Sequence, residues 1–460
     1  MTRNHRPRWP RAALTAVLAL VLLVALAACE REGHPNTIFT ANTDFNRDVN
    51  VLWKSLFFWA SVVFVGVEAA LLYVVFRYRR REGSPAPRHV HGNTTLEITW
   101  TAIPALILVF IAIPTVRTIW KTQAKAVPNA LQVEVIGHQW WWEFRYPQYG
   151  ITTANELYLP AGRTVNVTLR TADVIHSFWI PNLVGARDLV ANHTNYLWFT
   201  PDSSLGENAW NGICKEYCGA SHAQMRFRAF TVAPDRFEQW AAHQKQPAAF
   251  GATPTPTTAP GAAPAVGTTA TATTATGAPA AAATSPATQG RTPATAPMGA
   301  PATAQATPPA SPTLAMDGYA FPREKLPEHV LPHTPPATGT RGSVSFPANL
   351  AGDAARGQQV YSRSACIGCH TIQGNPASVG VIGPNLTHVG SRFTIAAAMY
   401  PNDARHLALW IKNAPVMKPG SLMPTLGKGQ LDPHTGKPAV TGTLTDQEIA
   451  DIVAYLQALK

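Results

Sequence analysis

The chain has 460 residues and a formal net charge of +11, with 46% hydrophobic and 14% charged residues. Its length allows two or three domains. The positive charge lies beside apolar segments, because residues 127–245 hold ten acidic and nine basic side chains and are close to neutral. This distribution is typical of membrane topology, and it excludes nucleic acid as the expected partner.

The first 28 residues predict a bacterial signal peptide. Four arginines precede residue 12, and the short apolar run ALTAVLALVLLVALAAC follows them. Its last four letters, LAAC, resemble the lipobox of bacterial lipoproteins, in which cleavage leaves the cysteine as a lipidated N-terminus. We therefore expect residues 1–28 to be removed and Cys29 to carry a lipid, with an ordinary signal anchor as the alternative.

Two longer apolar runs predict a transmembrane hairpin within residues 29–120. Each run exceeds the ~20 residues that a helix needs to cross a bilayer, and we expect helices at about 54–77 and 97–119. An arginine cluster lies between them, so the positive-inside rule places that loop in the cytoplasm and both chain ends outside. Glu68 lies inside the first run, where a carboxylate indicates a partner or a pathway, or is protonated against another helix.

Residues 121–246 have the pattern of a small β domain. The segments LQVEVIG and TVNVTLRT alternate apolar and polar residues, and PQYG, PAG and PDSSLG provide turns. Short strands of this kind, separated by frequent turns, predict a Greek-key sandwich or barrel.

Residues 247–343 are expected to be a linker rich in Ala, Pro and Thr. Only six residues between 251 and 310 are of any type other than Ala, Pro, Thr or Gly, so this part cannot bury enough apolar surface to fold. Such a linker would hold its flanking domains at roughly millimolar effective concentration. Residues 344–460 regain helical periodicity, and the last predicted helix begins with a capping box of Thr445 and Glu448.

The motif CIGCH predicts covalent attachment of haem c. Cys366 and Cys369 would form the thioether bonds, and His370 would ligate the iron. A methionine as the sixth ligand raises the reduction potential, and we expect Met423, which lies on a proline-containing loop. The alternatives for the sixth ligand are Met417 and His388.

The stretch CKEYCGASHAQM contains more metal donors than a disulfide needs, since a disulfide would leave its histidine and methionine unexplained. A zinc site of two cysteines and two histidines is the stronger alternative. Two thiolates that bridge two copper ions, completed by two imidazoles, one thioether and one oxygen, use the whole set. The candidate donors are His176, Cys214, the carbonyl of Glu216, Cys218, His222 and Met225.

Several stretches together resemble one family. HSFWIP followed by CKEYCGASHAQM resembles the CuA site of cytochrome c oxidase subunit II, GHQWWWEFRYP its aromatic strand, and LEITWTAIPALILVFIAIP its second transmembrane helix. SACIGCHTI, GPNLTHVGSR and GSLMP resemble the cytochrome c domain that is fused to this subunit in caa-type haem–copper oxidases. The resemblance implies a multidomain membrane protein with a cupredoxin-like domain at 121–246 and an all-α class I cytochrome c domain at 344–460.

The resemblance also implies a function. The chain would be the electron-input subunit of an aerobic respiratory oxidase in the bacterial inner membrane, passing electrons from haem c through CuA to a haem–copper catalytic subunit that reduces oxygen. Further partners would be an external cytochrome c or a quinol–cytochrome c reductase. The alternatives are the CuA-bearing subunit of a nitric oxide reductase and, from a different class, a non-redox zinc or structural module.

Single residues receive roles from the same resemblance. Trp140 would be the point where electrons enter, with barrel packing as its simpler role. Glu97 would lie at the mouth of a proton pathway, although the residue alone suggests a solvated helix start. The Glu216 side chain would help to bind magnesium at the contact with the catalytic subunit, and the carbonyl of Pro384 would hold the haem-ligating histidine.

Two departures from the family pattern concern local geometry. VANHTN stands where the family has a Pro-Gly turn, and Ile213 stands where a glutamine often precedes the first cysteine. These differences affect one turn and one hydrogen bond and leave the donor set complete.

Overall fold

The computed structural model describes residues 20, 36–80, 83, 91–123, 128–248, 319–327, 330 and 344–460. The predicted signal peptide except residue 20, the lipid-anchor candidate Cys29 and the whole of 251–310 lie outside the described residues.

Two long helices form the N-terminal hairpin, α1 (Asp44–Arg77) and α2 (Thr94–Gln123). Both are long and apolar enough to cross a membrane, and the residues of their most apolar windows are not buried inside the protein. Both helices begin before the predicted spans. For α1 the reason is Thr43, whose side chain accepts a hydrogen bond from the backbone N–H of Asn46 and thereby caps the helix.

The outer end of the hairpin is fixed to the domain that follows it. Phe45 is buried in the core of that domain. Arg47 pairs with Asp202 at 2.7 Å, and Lys121 of α2 pairs with Asp48 of α1 at 2.6 Å. The first turns of α1 therefore pack as part of an extramembrane surface and not as part of the span.

The β-domain, residues 128–248, has ten strands and a closing helix, α3 (Pro234–Gln244). The strands are β1 (Leu131–His138), β2 (Trp141–Tyr146), β3 (Ile151–Ala154), β4 (Glu156–Pro160), β5 (Val165–Thr171), β6 (His176–Ile180), β7 (Val184–Leu189), β8 (Asn195–Phe199), β9 (Asn208–Cys214) and β10 (Arg226–Val232).

The strands form two five-stranded sheets, in the orders β3-β2-β1-β5-β8 and β4-β10-β9-β6-β7. The pairs β1–β5 and β4–β10 are parallel, and the other neighbouring pairs are antiparallel. Buried aromatic rings join the two sheets: Trp142 of one sheet packs edge-on against Phe178 and Phe227 of the other. A side chain at Gly212 would overlap the ring of Phe227, so this core requires glycine there. The predicted cupredoxin-like sandwich is confirmed.

The helical domain, residues 344–460, contains the helices α4 (Ala354–Arg363), α5 (Cys366–Cys369), α6 (Ala404–Lys412), α7 (Ala414–Met417) and α8 (Asp446–Ala458), and two short strands, β11 (Thr394–Ile395) and β12 (Tyr400–Pro401). Helix α4 packs closely on α8, because Gly357 leaves room for the backbone of Asp451. The predicted capping box of Thr445 and Glu448 is present at the start of α8. The helical cytochrome c fold is confirmed.

Part of the predicted linker lies against the β-domain. Phe321 is only 2% exposed, belongs to the β-domain core and packs on Phe230 with ring centroids 5.0 Å apart. Val330 is also buried in that core. The expectation of a linker over residues 247–343 did not include these apolar contacts.

Candidate metal and haem sites

The six predicted metal donors come together at one end of the β-domain. His176 opens β6 and Cys214 ends β9, and these two strands are paired. Glu216 and Cys218 follow in the loop, His222 opens a 3-10 turn, and Met225 precedes β10. Two backbone hydrogen bonds hold this loop, from the N–H of Cys214 to the carbonyl of Met225 and from the N–H of Lys215 to the carbonyl of Ser177, both 3.0 Å long.

The two sulfur atoms occupy the centre of the cluster, with Cys214 Sγ 3.8 Å from Cys218 Sγ. Cys214 Sγ lies 3.8 Å from His176 Nδ1 and 3.3 Å from the carbonyl oxygen of Glu216. Cys218 Sγ lies 3.7 Å from both His222 Nδ1 and Met225 Sδ. Each sulfur therefore has one imidazole nitrogen and one weaker donor beside it.

This arrangement suits bound metal. Both cysteines are free thiols, so the structure contains no disulfide between them. Because thiolates bind metal at about 2.3 Å, two sulfurs at this spacing can both contact the same ion. His176, Cys214 and Cys218 are buried and form a cluster with metal-ligand spacing. Within the part of the chain that the structure describes, this donor set fits a pair of soft metal ions better than a single zinc ion, which would use only four of the six donors.

Protonation in the cluster is strongly coupled. The hydrogen bond between the two cysteines lowers the pKa of Cys214 and raises the pKa of Cys218, and burial further raises the pKa of Cys218. Burial lowers the pKa of His176, but hydrogen bonds with Asp173 and Cys214 outweigh it and raise the pKa overall. One thiolate therefore forms readily, and a positive charge from a metal ion would be needed to ionise the second.

Two residues that the sequence interpretation missed support the donors. Asp173 Oδ1 lies 2.8 Å from His176 Nε2, which leaves Nδ1 facing Cys214. Gln139 donates its backbone N–H to Asp173 and its side-chain amide to the carbonyl of Cys218. The three-residue spacing between Asp173 and His176 was a usable signal, since a metal-ligating histidine almost always donates its other ring N–H to a second group, and a carboxylate is one of the common acceptors.

Trp140 connects the metal loop with a second site. Its indole N–H donates to the carbonyl of Cys218 at 2.9 Å. Its own carbonyl accepts a hydrogen bond from Lys418 Nζ at 2.7 Å, and Ser221 donates to the carbonyl of Pro419. Burial lowers the pKa of Lys418 to about 7. Trp140 therefore lies where the metal loop meets the helical domain.

The second site is a cavity of about 510 Å³, which is within the usual range of about 300–1,000 Å³ for cofactor sites. Cys366, Cys369, His370 and Met423 line it from the helical domain. Trp140 and its neighbours line it from the β-domain. The cavity is largely apolar otherwise, so its size and its thiols fit a covalently attached haem.

The histidine of this cavity is already oriented. His370 Nδ1 lies 2.8 Å from the carbonyl of Pro384, to which it donates, so Nε2 keeps its lone pair for iron. Burial lowers the pKa of His370, which keeps the ring neutral. Gly383 allows close approach, because a side chain there would overlap the imidazole ring.

The three candidates for the sixth ligand lie in different places. Met423 lines the cavity, whereas Met417 and His388 do not. The Met417 carbonyl accepts from Tyr400, and His388 Nε2 donates to the carbonyl of Gln246 at 3.0 Å. The position of Met423 supports it as the ligand.

The remaining predicted residues have simpler surroundings. Glu97 is exposed and accepts from the backbone N–H of Asn93 at 3.2 Å, an interaction typical of a helix start. The Glu216 side chain is exposed, and Glu68 is half-buried. In the unusual VANHTN stretch a turn forms without glycine, because Asn192 adopts a φ of 59°.

Three family models match the chain. Residues 34–118 match the cytochrome c oxidase subunit II transmembrane domain, residues 150–232 match its periplasmic domain, and residues 354–460 match cytochrome c. The three matches lie in the hairpin, the β-domain and the helical domain respectively.

Curated relatives carry the name cytochrome c oxidase subunit 2. The protein from Alkalihalophilus pseudofirmus is 26% identical over 406 residues, which cover 87% of this chain and 84% of the relative. The protein from Bacillus subtilis is 39% identical over 186 residues, which cover 38% of this chain and 52% of the relative. A solved periplasmic domain of subunit II from Bradyrhizobium japonicum is 27% identical and covers 26% of this chain and 97% of its own, with a TM-score of 0.24.

Proposed function

Because the chain belongs to the cytochrome c oxidase subunit II family, in the form that carries a C-terminal cytochrome c domain, we propose that it is the electron-input subunit of an aerobic respiratory oxidase. Electrons would pass from the covalently bound haem c to a dinuclear CuA centre and on to a haem–copper catalytic subunit that reduces oxygen. The relatives are named as oxidase subunits, which favours an oxidase over a nitric oxide reductase.

The observation that carries this proposal is the double role of Trp140. Its indole N–H binds the carbonyl of Cys218, and the residue also lines the cavity that contains Cys366 and Cys369. A single aromatic side chain thus contacts the metal loop and the haem cavity, which supports it as the connection for electrons between the two sites.

The residues of the chain would hold both groups with little movement. His176, Cys214, Glu216 through its carbonyl, Cys218, His222 and Met225 would hold the copper pair, and Cys366, Cys369, His370 and Met423 would hold the haem. When bound, both groups accept and release single electrons. Asp173, Gln139 and Pro384 would keep the ligands in place, because each already binds a ligand residue in the structure.

The membrane location follows from the hairpin and the periplasmic-type domain. We place both large domains on the outer side of the bacterial inner membrane, with the arginine-rich loop after α1 in the cytoplasm. A lipid on Cys29 would add a second anchor. From the family resemblance we also propose that Glu97 lies at the mouth of a proton pathway, and that the exposed Glu216 carboxylate helps to bind a magnesium ion at the contact with the catalytic subunit.

The test is low-temperature electron paramagnetic resonance of the full-length protein purified in detergent and loaded with copper. We expect the multi-line hyperfine pattern of one unpaired electron shared between two copper nuclei. An ordinary mononuclear copper pattern, or bound zinc without a signal, would refute the proposal.

Two matched variants assign the sites. Cys218→Ser should remove the shared-electron pattern and leave the haem absorption unchanged. Cys366→Ser should weaken haem attachment and leave the copper pattern unchanged. The opposite assignment of either effect would contradict the proposed roles of these two cysteines.

A further inference from the structure

The contact between the β-domain and the helical domain includes a carboxylate that neither the metal site nor the haem cavity uses. Glu156 opens β4, an edge strand of its sheet, and is only 3% exposed. Its Oε1 accepts hydrogen bonds from the backbone N–H groups of Phe393 at 2.7 Å and Thr394 at 3.2 Å. Both donors belong to the helical domain, more than 230 residues away in sequence.

Burial of a carboxylate is costly unless charges and hydrogen bonds compensate it. Burial raises the pKa of Glu156 to about 7, against the opposing effects of Arg392 and of the two backbone amides. Arg392 is also buried, in the helical domain, and lies beside Glu156 along a small polar cavity of about 20 Å³. The two backbone hydrogen bonds that compensate the burial of Glu156 exist only when the helical domain is in contact with the β-domain.

Apolar and aromatic contacts surround this carboxylate. Phe393 packs against Phe230 of the β-domain, with ring centroids 5.4 Å apart. The guanidinium of Arg323 lies over the Phe393 ring, 4.9 Å from its centroid. Arg228 of β10 donates to the carbonyl of Val330 at 2.6 Å. The segment that leads into the helical domain therefore also borders this junction.

We propose that Glu156 is the docking residue for the helical domain: its carboxylate binds the amides of Phe393 and Thr394 and thereby fixes the haem cavity against Trp140. Glu156 is a positioning residue in this proposal, since it lines neither the haem cavity nor the metal loop. At the other end of the same contact, Lys418 and Pro419 bind Trp140 and Ser221. The docking site stands by itself, whereas its effect on electron transfer rests on the function proposed above.

The test uses the full-length protein with both cofactors, and compares Glu156→Leu and Glu156→Gln with a control, Glu134→Gln. Glu134 is a partly exposed carboxylate of the same domain that pairs with Arg145 and Arg170 on its own sheet. Hydrogen exchange measured by mass spectrometry reports the amides of Phe393 and Thr394. We expect protection there to fall at least about tenfold in Glu156→Leu, because the two buried backbone N–H groups lose the acceptor that Glu156 provides.

Protection of α4 and α8 should stay unchanged, which would show that the helical domain itself remains folded. Glu156→Gln keeps an acceptor oxygen and removes the buried charge, so it should retain protection at Phe393 and Thr394. The rate of electron transfer between haem and copper should fall in Glu156→Leu and stay at the wild-type value in Glu134→Gln.

The outcomes are separable. Unchanged protection of Phe393 and Thr394 in Glu156→Leu would overturn the docking site. Lost protection with an unchanged transfer rate would overturn the positioning role. Absence of the two-copper signal from the wild-type protein would instead refute the proposed function and leave the hydrogen-exchange result valid.

Discussion

The strength of docking through Glu156 should depend on pH, and docking should weaken as the pH rises. Its pKa is about 7 with the domains in contact, against an ordinary value of 4.5. A group that binds its proton more tightly in the docked state takes up a proton on docking. Docking is therefore favoured below pH ~4.5, weakens as the pH rises from ~4.5 to ~7, and changes little above that range.

The magnitude follows from the two pKa values. Between pH 5 and pH 8 the docking constant should fall by about 70-fold, or roughly 2.5 kcal/mol. Burial lowers the pKa of Arg392 and of Arg228 to about 10 each, so both stay charged throughout this range. His388 lines the same small cavity, and burial lowers its pKa.

The assay is the protection factor of the Phe393 and Thr394 amides, corrected for intrinsic exchange at each pH and compared with α8 in the same sample. Wild-type protection should fall as the pH rises, and Glu156→Gln should remove most of this dependence. His388 is present in both proteins, so the difference between them isolates Glu156. An equal slope in the variant, or protection that increases with pH, would refute the reasoning.

Three further changes test other parts of the structure. Met423→Leu should lower the haem reduction potential and alter the haem spectrum while Met417→Leu changes neither, and equal effects in a redox titration would contradict the assignment. Trp140→Phe removes the N–H that binds Cys218 and should slow electron transfer between haem and copper in flash-reduction experiments, and a wild-type rate would exclude this route. Thr445→Ala removes the cap of α8 and should destabilise the helical domain by about 1 kcal/mol in denaturant unfolding, and no shift would mean that the cap is dispensable.

The local motifs explain how much could be predicted from the sequence. The donors from Cys214 to Met225 lie within one loop, so their spacing alone indicates a metal site. The transmembrane hairpin can also be predicted from the sequence, because an apolar run long enough to cross a bilayer usually forms a transmembrane helix. The strand pattern predicts a sandwich, although it does not reveal that β1 and β5 run parallel.

The contacts between distant segments could not be predicted in the same way. Nothing around Phe321 distinguishes it from other residues of a linker, and its burial depends on Phe230 of a strand far away in sequence. From the sequence alone, Glu156 is similarly a polar residue at the start of a strand. Its hydrogen-bond donors, the backbone N–H groups of Phe393 and Thr394, lie in another domain. Thr43 and Phe45 extend α1 beyond the apolar run for the same reason, since the β-domain provides their contacts. The local hydrophobic periodicity of a sequence contains no information about contacts between segments that are far apart along the chain.

A tether changes how strong the docking contact has to be. If the predicted linker holds the helical domain at roughly millimolar concentration near the β-domain, a contact with a dissociation constant of ~0.1 mM would be formed about 90% of the time. A buried carboxylate that recovers only part of its desolvation cost is compatible with a contact this weak. A 70-fold weakening at higher pH would then reduce the docked fraction to about one eighth. At this assumed strength the contact would hold the haem cavity against Trp140 at pH 5 and would leave the helical domain mostly undocked, free to meet its electron donor, at pH 8.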